Sequence, residues 1–116
     1  RLYFISNPTS NHCLALDNQP SIAAAIYQDG QEWRQIRGLQ LEGRARLAAP
    51  GAEEDQAIAA YLTKYPFVAT AQGGATDGAL ELAGPLANSR FYVIETDWMR
   101  LIDNTLGFGH REERAY

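Results

Sequence analysis

At 116 residues, 46% hydrophobic and 21% charged, the chain is the size of one domain with enough apolar material for a core, which excludes a strongly disordered composition. A net charge of −4 without any basic run argues against nucleic acid as a partner, and no apolar run nears the roughly 18 residues that span a bilayer. The lone Cys13 excludes an internal disulfide, and the distant His12 and His110 argue against structural zinc; both fit a reducing, cytoplasmic setting without metal.

Leu2–Ser6 reads as a strand of aromatic and β-branched residues, closed by Asn7-Pro8. Thr9 or Ser10 then N-caps a short helix to about Asp17. Backbone N–H groups at such a helix start are unpaired and partly positive, so Ser10, Asn11 and His12 form a candidate phosphate cradle. The plainer reading of the same three residues is an N-cap with surface polar neighbours. Cys13 reads as a small core residue.

Ser21–Tyr27 is apolar on both faces, as a buried central strand would be, and Asp29-Gly30 is a hairpin signal. Leu39, Leu41, Gly43, Ala45 and Leu47 alternate with Gln40, Glu42, Arg44 and Arg46, a period of two with one core face and one wet face. Ile36 is out of phase with this set. The slip points to a bulge or a close backbone approach at Gly38, within one long strand from about Trp33 to Ala48. Arg37 beside it reads either as an anion contact or as an exposed strand arginine.

Glu53, Glu54 and Asp55 then enrich a helix start in acid, a solvated first turn. Ile58, Tyr61, Leu62 and Tyr65 supply its apolar stripe, and Pro66 ends the helix. Residues 71–78 read as a glycine-rich loop that lacks the Gly-Lys-Ser/Thr of a P-loop, followed by a short helix over 79–86. Arg90–Glu95 and Trp98–Ile102 read as two strands around Thr96-Asp97. Trp33 and Trp98 are candidate core or interface residues. The tail Asp103–Arg111 reads either as a chain-terminal turn or as a segment near a ligand or partner. Strands outnumber helices and do not alternate with them regularly. The fold class is therefore mainly β, an antiparallel barrel or sheet with peripheral helices.

Three stretches, in this order, resemble the pyridoxamine-5′-phosphate-oxidase-like flavin-binding split barrels. They are Leu2–His12, Asn18-Gln19-Pro20-Ser21-Ile22-Ala23 and Arg37-Gly38-Leu39-Gln40-Leu41-Glu42-Gly43-Arg44-Ala45. The tail Ile102-Asp103-Asn104-Thr105-Leu106-Gly107-Phe108-Gly109 resembles an uncharacterised bacterial subfamily of these barrels, whose members end in an Asp-Asn-Thr-Leu-Gly-Phe-Gly-like motif.

The resemblance implies a six-stranded antiparallel split barrel over residues 1–116 that binds FMN. It also implies a homodimer with two FMN sites at the subunit interface. Members of the family begin with a helix and two strands ahead of the point where this chain starts, so an N-terminally incomplete domain is expected. Carried over residue by residue, Ser10, Asn11 and His12 fall on the phosphate-binding turn, and Ile5 and Ser6 fall where the oxidases contact flavin.

The oxidases place two cations where this chain has Asn11 and His12, a flavin-contacting Gln where it has Gly38, and a Trp and Arg in a tail without counterpart here. Pyridoxamine phosphate is therefore not the expected substrate, and the phosphate end is short of positive charge. Two functions follow from the resemblance. One is an FMN-dependent oxidoreductase of unspecified substrate. The other is a non-catalytic flavin- or ligand-binding or structural dimer that has lost the strong phosphate-binding cations.

Overall fold

The structure is a computed structural model and describes residues 1–30, 32–68 and 87–116. The loop expected at 71–78 and the helix expected at 79–86 lie outside the described residues. The described chain carries strands β1 (Leu2–Ser6), β2 (Ser21–Tyr27), β3 (Arg37–Leu47), β4 (Arg90–Asp103) and β5 (Arg111–Ala115). Its helices are α1 (Asn11–Asn18) and α2 (Ala52–Lys64), with 3-10 turns at Trp33–Gln35 and Asn104–Leu106. The strands form one sheet in the order β1-β4-β3-β2, with β5 also paired to β4. The pairings β1–β4, β2–β3 and β4–β5 are antiparallel. By internal contacts the chain divides into two compact units, Arg1–Pro20 with Arg46–Ile94 and Ser21–Ala45 with Glu95–Tyr116.

In the first unit, β1 pairs with the start of β4 from Leu2↔Ile94 to Ser6↔Arg90. Directly opposed residues of an antiparallel pair share a face. Tyr3 and Ile5 therefore share the face of Phe91 and pack with it, Ile58 and Tyr61 around buried Ala48 and Ala57. This is the α2 face. Phe4 and Tyr92 take the other face, with rings stacked at 5.0 Å, and buried Cys13 of α1 hydrogen-bonds Tyr92 there. The two helices thus cover opposite faces of the same strand pair.

The acidic start of α2 does more than face water. Glu53 accepts from Arg46 Nη1 at 2.7 Å, from Arg46 Nη2 at 3.0 Å and from the Ala49 N–H at 2.6 Å, and it also meets Arg1 at 3.3 Å. Arg46 first and the Ala49 N–H second, against the opposing effect of burial, hold its carboxyl down to about 2.

In the second unit, β2 runs beside β3 from Ser21↔Arg44 to Tyr27↔Gly38 without a break in register. Gly38 therefore marks a close approach and not a bulge, because a Cβ there would overlap the Tyr27 ring. Gly43 is close-packed in the same way, since its Cβ would overlap the Glu95 carbonyl oxygen. The alternation expected of β3 holds over residues 41–45, with Leu41, Gly43 and Ala45 buried between more exposed neighbours; Leu39 is no more buried than Gln40, and Leu47 is exposed.

Three expectations are corrected, and one strand was not foreseen. β2 pairs only with β3 among the described strands, and most of its residues are exposed, so it stands at the edge of the described sheet. A run of alanines and isoleucines looks the same at either position until pairing is known. Trp33–Gln35 form a 3-10 turn, so the β2–β3 connection is longer than a tight hairpin and β3 starts at Arg37. The two strands expected at 90–102 are one, β4, because Thr96-Asp97 contains no residue that breaks extended backbone. The tail holds a strand, β5, whose fully exposed Arg-Glu-Glu-Arg-Ala carries no apolar alternation to signal it.

Candidate functional site

The sequence that ends β1 builds a turn at its exit. Asn7 Oδ1 accepts from the Thr9 N–H and from Thr9 Oγ1, both at 2.9 Å, and the Ser10 N–H donates to Asn7 O. This Asx turn reverses the chain and leaves Ser10 as N-cap of α1 with extended backbone. The Ser10 side chain makes no capping bond. It faces His12 instead, with Oγ 3.2 Å from Nε2. Ser6 Oγ lies 2.5 Å from the same Nε2 and 3.4 Å from Ser10 Oγ. Two hydroxyls and one imidazole thus converge beside the first turn of a helix.

Of the residues assigned from sequence, Ser6, Ser10 and His12 come together. Asn11 is exposed at the first position of α1. Ile5 does not join them, because strand alternation turns it to the α2 face, where it packs on the core. There it helps line a cavity of about 540 Å³ with Tyr3, Tyr61, Lys64, Tyr65 and Phe91.

Cys13 lies beneath the cluster, fully buried. Burial pushes its thiol up, hydrogen bonds to Ser10, Ser6 and Tyr92 pull it down, and the balance is downward. Burial first, and then the bond to Cys13, pushes the Tyr92 phenol up to about 12. Tyr92 was not legible as a neighbour of this turn, since only the β1–β4 register brings it there. Arg90 sits directly across from Ser6 for the same reason.

Arg37 is the exposed strand arginine of its second reading: it opens β3, and its Nε donates to Asp103 Oδ2 at 3.1 Å. Asp103 Oδ1 accepts from the Thr105 N–H and hydroxyl at 3.0 and 2.5 Å. The hydroxyl of Thr105 first, with burial opposing, lowers the carboxyl below its ordinary value. Asn104 Nδ2 donates to Trp33 O at 2.7 Å, its Oδ1 accepts from the Gly109 N–H at 3.0 Å, and its own N–H donates to Ile36 O. These bonds hold Phe108, itself 84% exposed, edge-on to Trp33 at 5.8 Å. Trp98 is half-buried under the Arg100 guanidinium, 4.8 Å from the ring centre. Among the described residues no group of three or more His, Cys, Asp or Glu side chains could hold a metal, and no helix is long and apolar enough to cross a membrane.

This architecture is mainly antiparallel β, with the strand–turn–helix entry and the long β3 of a split barrel, and it is the fold of the proteins related to pyridoxamine 5′-phosphate oxidase. An FMN-binding protein from Nostoc punctiforme, described as related to that oxidase, superposes with a TM-score of 0.54 at 14% identity, covering 99% of this chain and 71% of its own. A heme-binding protein from Mycobacterium smegmatis superposes with a TM-score of 0.66 at 16% identity, covering 97% of this chain and 41% of its own. In sequence, the chain is 29% identical over 110 residues to the UPF0306 protein YhbP of Salmonella paratyphi A. The match covers 95% of this chain and 63% of that relative's length. No family model matches the chain.

Proposed function

We propose that this protein binds FMN, with the phosphate at Ser6, Ser10 and His12, and that it acts as a flavin-dependent oxidoreductase in the form of a homodimer. The observation that carries the reading is the convergence of the Ser6 and Ser10 hydroxyls on His12 Nε2 within 3.2 Å, beside the start of α1. The donor set fits a phosphate, because hydroxyls and an imidazole all donate to anionic oxygen and no carboxylate joins the cluster. The FMN-binding neighbour of like fold supports the same ligand class.

FMN, when bound, supplies the electron chemistry of its ring, and the chain supplies anchoring and orientation. Ser6 ends a paired strand and Ser10 is fixed by the Asx turn, so both hydroxyls are positioned before a ligand arrives. The second reading is a flavin-binding module without turnover. It is favoured by Asn11, which brings no charge to the turn.

The test is a visible spectrum of the purified full-length protein followed by FMN titration. A bound flavin spectrum that NAD(P)H bleaches supports the oxidoreductase. Bound flavin that neither nicotinamide nor a chemical donor turns over catalytically supports the module. Absence of FMN binding at high micromolar concentration sinks both.

A further inference from the structure

We propose that Arg90 supplies the positive charge of the phosphate site that the turn itself lacks. The identity of the ligand rests on the FMN reading; the anion site does not. Arg90 opens β4 and is the antiparallel partner of Ser6. Paired residues lie on one face with Cβ atoms about 4.5–5.5 Å apart. That face is the one occupied by Phe4, Tyr92 and α1, hence the face of Ser10 and His12. Arg90 is exposed, and with Asn7, Pro8, Thr9 and Asn88 it lines an open cavity of about 460 Å³ at this end of the strand pair.

Arg1 and Arg46 are paired with Glu53, Arg34 with Glu32, Arg37 with Asp103 and Arg100 with Glu113. Among the described residues Arg90 has no carboxylate partner. Asp17 of α1 acts on Cys13 and Tyr92 from the same side but makes no ion pair with Arg90. An arginine free of carboxylates, directly across from Ser6 and on the face of Ser10 and His12, stands where it can complete a site for a phosphate oxygen pair. Its fork offers two parallel N–H donors to such a group, which a lysine cannot do.

The turn has neutral Asn11 and an imidazole where a dianion calls for fixed charge. The strand across from it carries that charge instead. Sequence spacing alone does not suggest this, because 84 positions separate Ser6 from Arg90.

The test titrates FMN and riboflavin into the full-length protein and its Arg90→Gln and Arg90→Lys variants, read by flavin fluorescence at low and high salt. Arg90→Gln is expected to weaken FMN about 10- to 100-fold, as loss of a charge-assisted hydrogen bond does. Riboflavin, which has no phosphate, keeps its affinity, and Arg90→Lys recovers part of the loss. The salt dependence of FMN binding falls in Arg90→Gln.

Unchanged FMN affinity in Arg90→Gln overturns the proposal, and so does an equal loss of FMN and riboflavin. If the wild-type protein binds neither flavin, the FMN reading fails, and inorganic phosphate decides the anion site. A phosphate-dependent shift of the His12 ring protons that vanishes in Arg90→Gln upholds Arg90. A shift that persists in the variant, or none in the wild type, overturns it.

Discussion

Two polar turns, residues 7–12 and 103–110, look alike in sequence and are built for different ends. Both are rich in Asn, Thr and small residues, and both follow a strand. In the second turn the side chains are consumed by backbone: Asn104 bonds Trp33 O with one end and the Gly109 N–H with the other, and Asp103 holds Thr105 and Arg37. In the first turn only Asn7 is used this way, on Thr9. Ser6, Ser10 and His12 face one another, and Arg90 faces no carboxylate among the described residues. A polar group tied to backbone fixes a shape, whereas polar groups gathered without backbone partners are available to a ligand. The second turn is therefore a clamp and the first a candidate site.

The largest expected effect breaks the clamp. Asn104→Ala removes two side-chain hydrogen bonds to backbone at roughly 1 kcal/mol each, so chemical denaturation is expected to show a loss of about 2 kcal/mol. FMN affinity stays put. A loss of FMN affinity comparable to that of a site variant contradicts the division of labour.

The second prediction reverses the pattern. Ser10→Ala combined with His12→Ala is expected to cost no more than about 1 kcal/mol in chemical denaturation, since His12 is exposed and half-buried Ser10 makes no capping bond. FMN titration is expected to weaken about tenfold or more. Unchanged affinity would place the phosphate elsewhere.

A third change probes the backbone of the clamp. Gly109 has φ of +75°, in the left-handed region, so Gly109→Ala is expected to cost about 1 kcal/mol in a thermal melt. A melt equal to that of the wild type would mean that the turn relaxes freely.

The last prediction adds pH. The Glu53 carboxyl is held at about 2 in the folded chain, below its ordinary value. A depressed carboxyl stabilises above its unfolded pKa, about 4.3, and that stability is lost as pH falls toward the folded value. The melting temperature is therefore expected to drop between about pH 4.5 and pH 2, with a shallower drop in Glu53→Gln. What remains in the variant is expected to come in part from Asp103, whose carboxyl is lowered in the same direction. An equal slope in both proteins would show that the Arg46–Glu53 contact carries no linkage.

The strand–turn–helix entry, the alternating β3 and the acidic start of α2 were legible because each is a local pattern of a few residues. Ser10 as N-cap and the Ser10–His12 proximity follow from the same short range. The edge position of β2 was not legible, because an apolar run does not state how many neighbours it has. β5 was missed because its only signal is pairing. The resemblance placed Ile5 with Ser6, yet alternation sends the two side chains to opposite faces. That alternation was readable in principle; which face carries α1 was not.

By itself, then, the sequence determined a mainly β chain with peripheral helices and the polar turn at residues 7–12. Those depend on propensity, capping and periodicity, all acting within a few residues. Only the tertiary structure decided that Arg90 and Tyr92 join the turn, that β4 runs unbroken past Thr96-Asp97 and that Asn104 clamps Trp33. Each of these depends on strand register or on contacts between distant segments, which local composition does not encode.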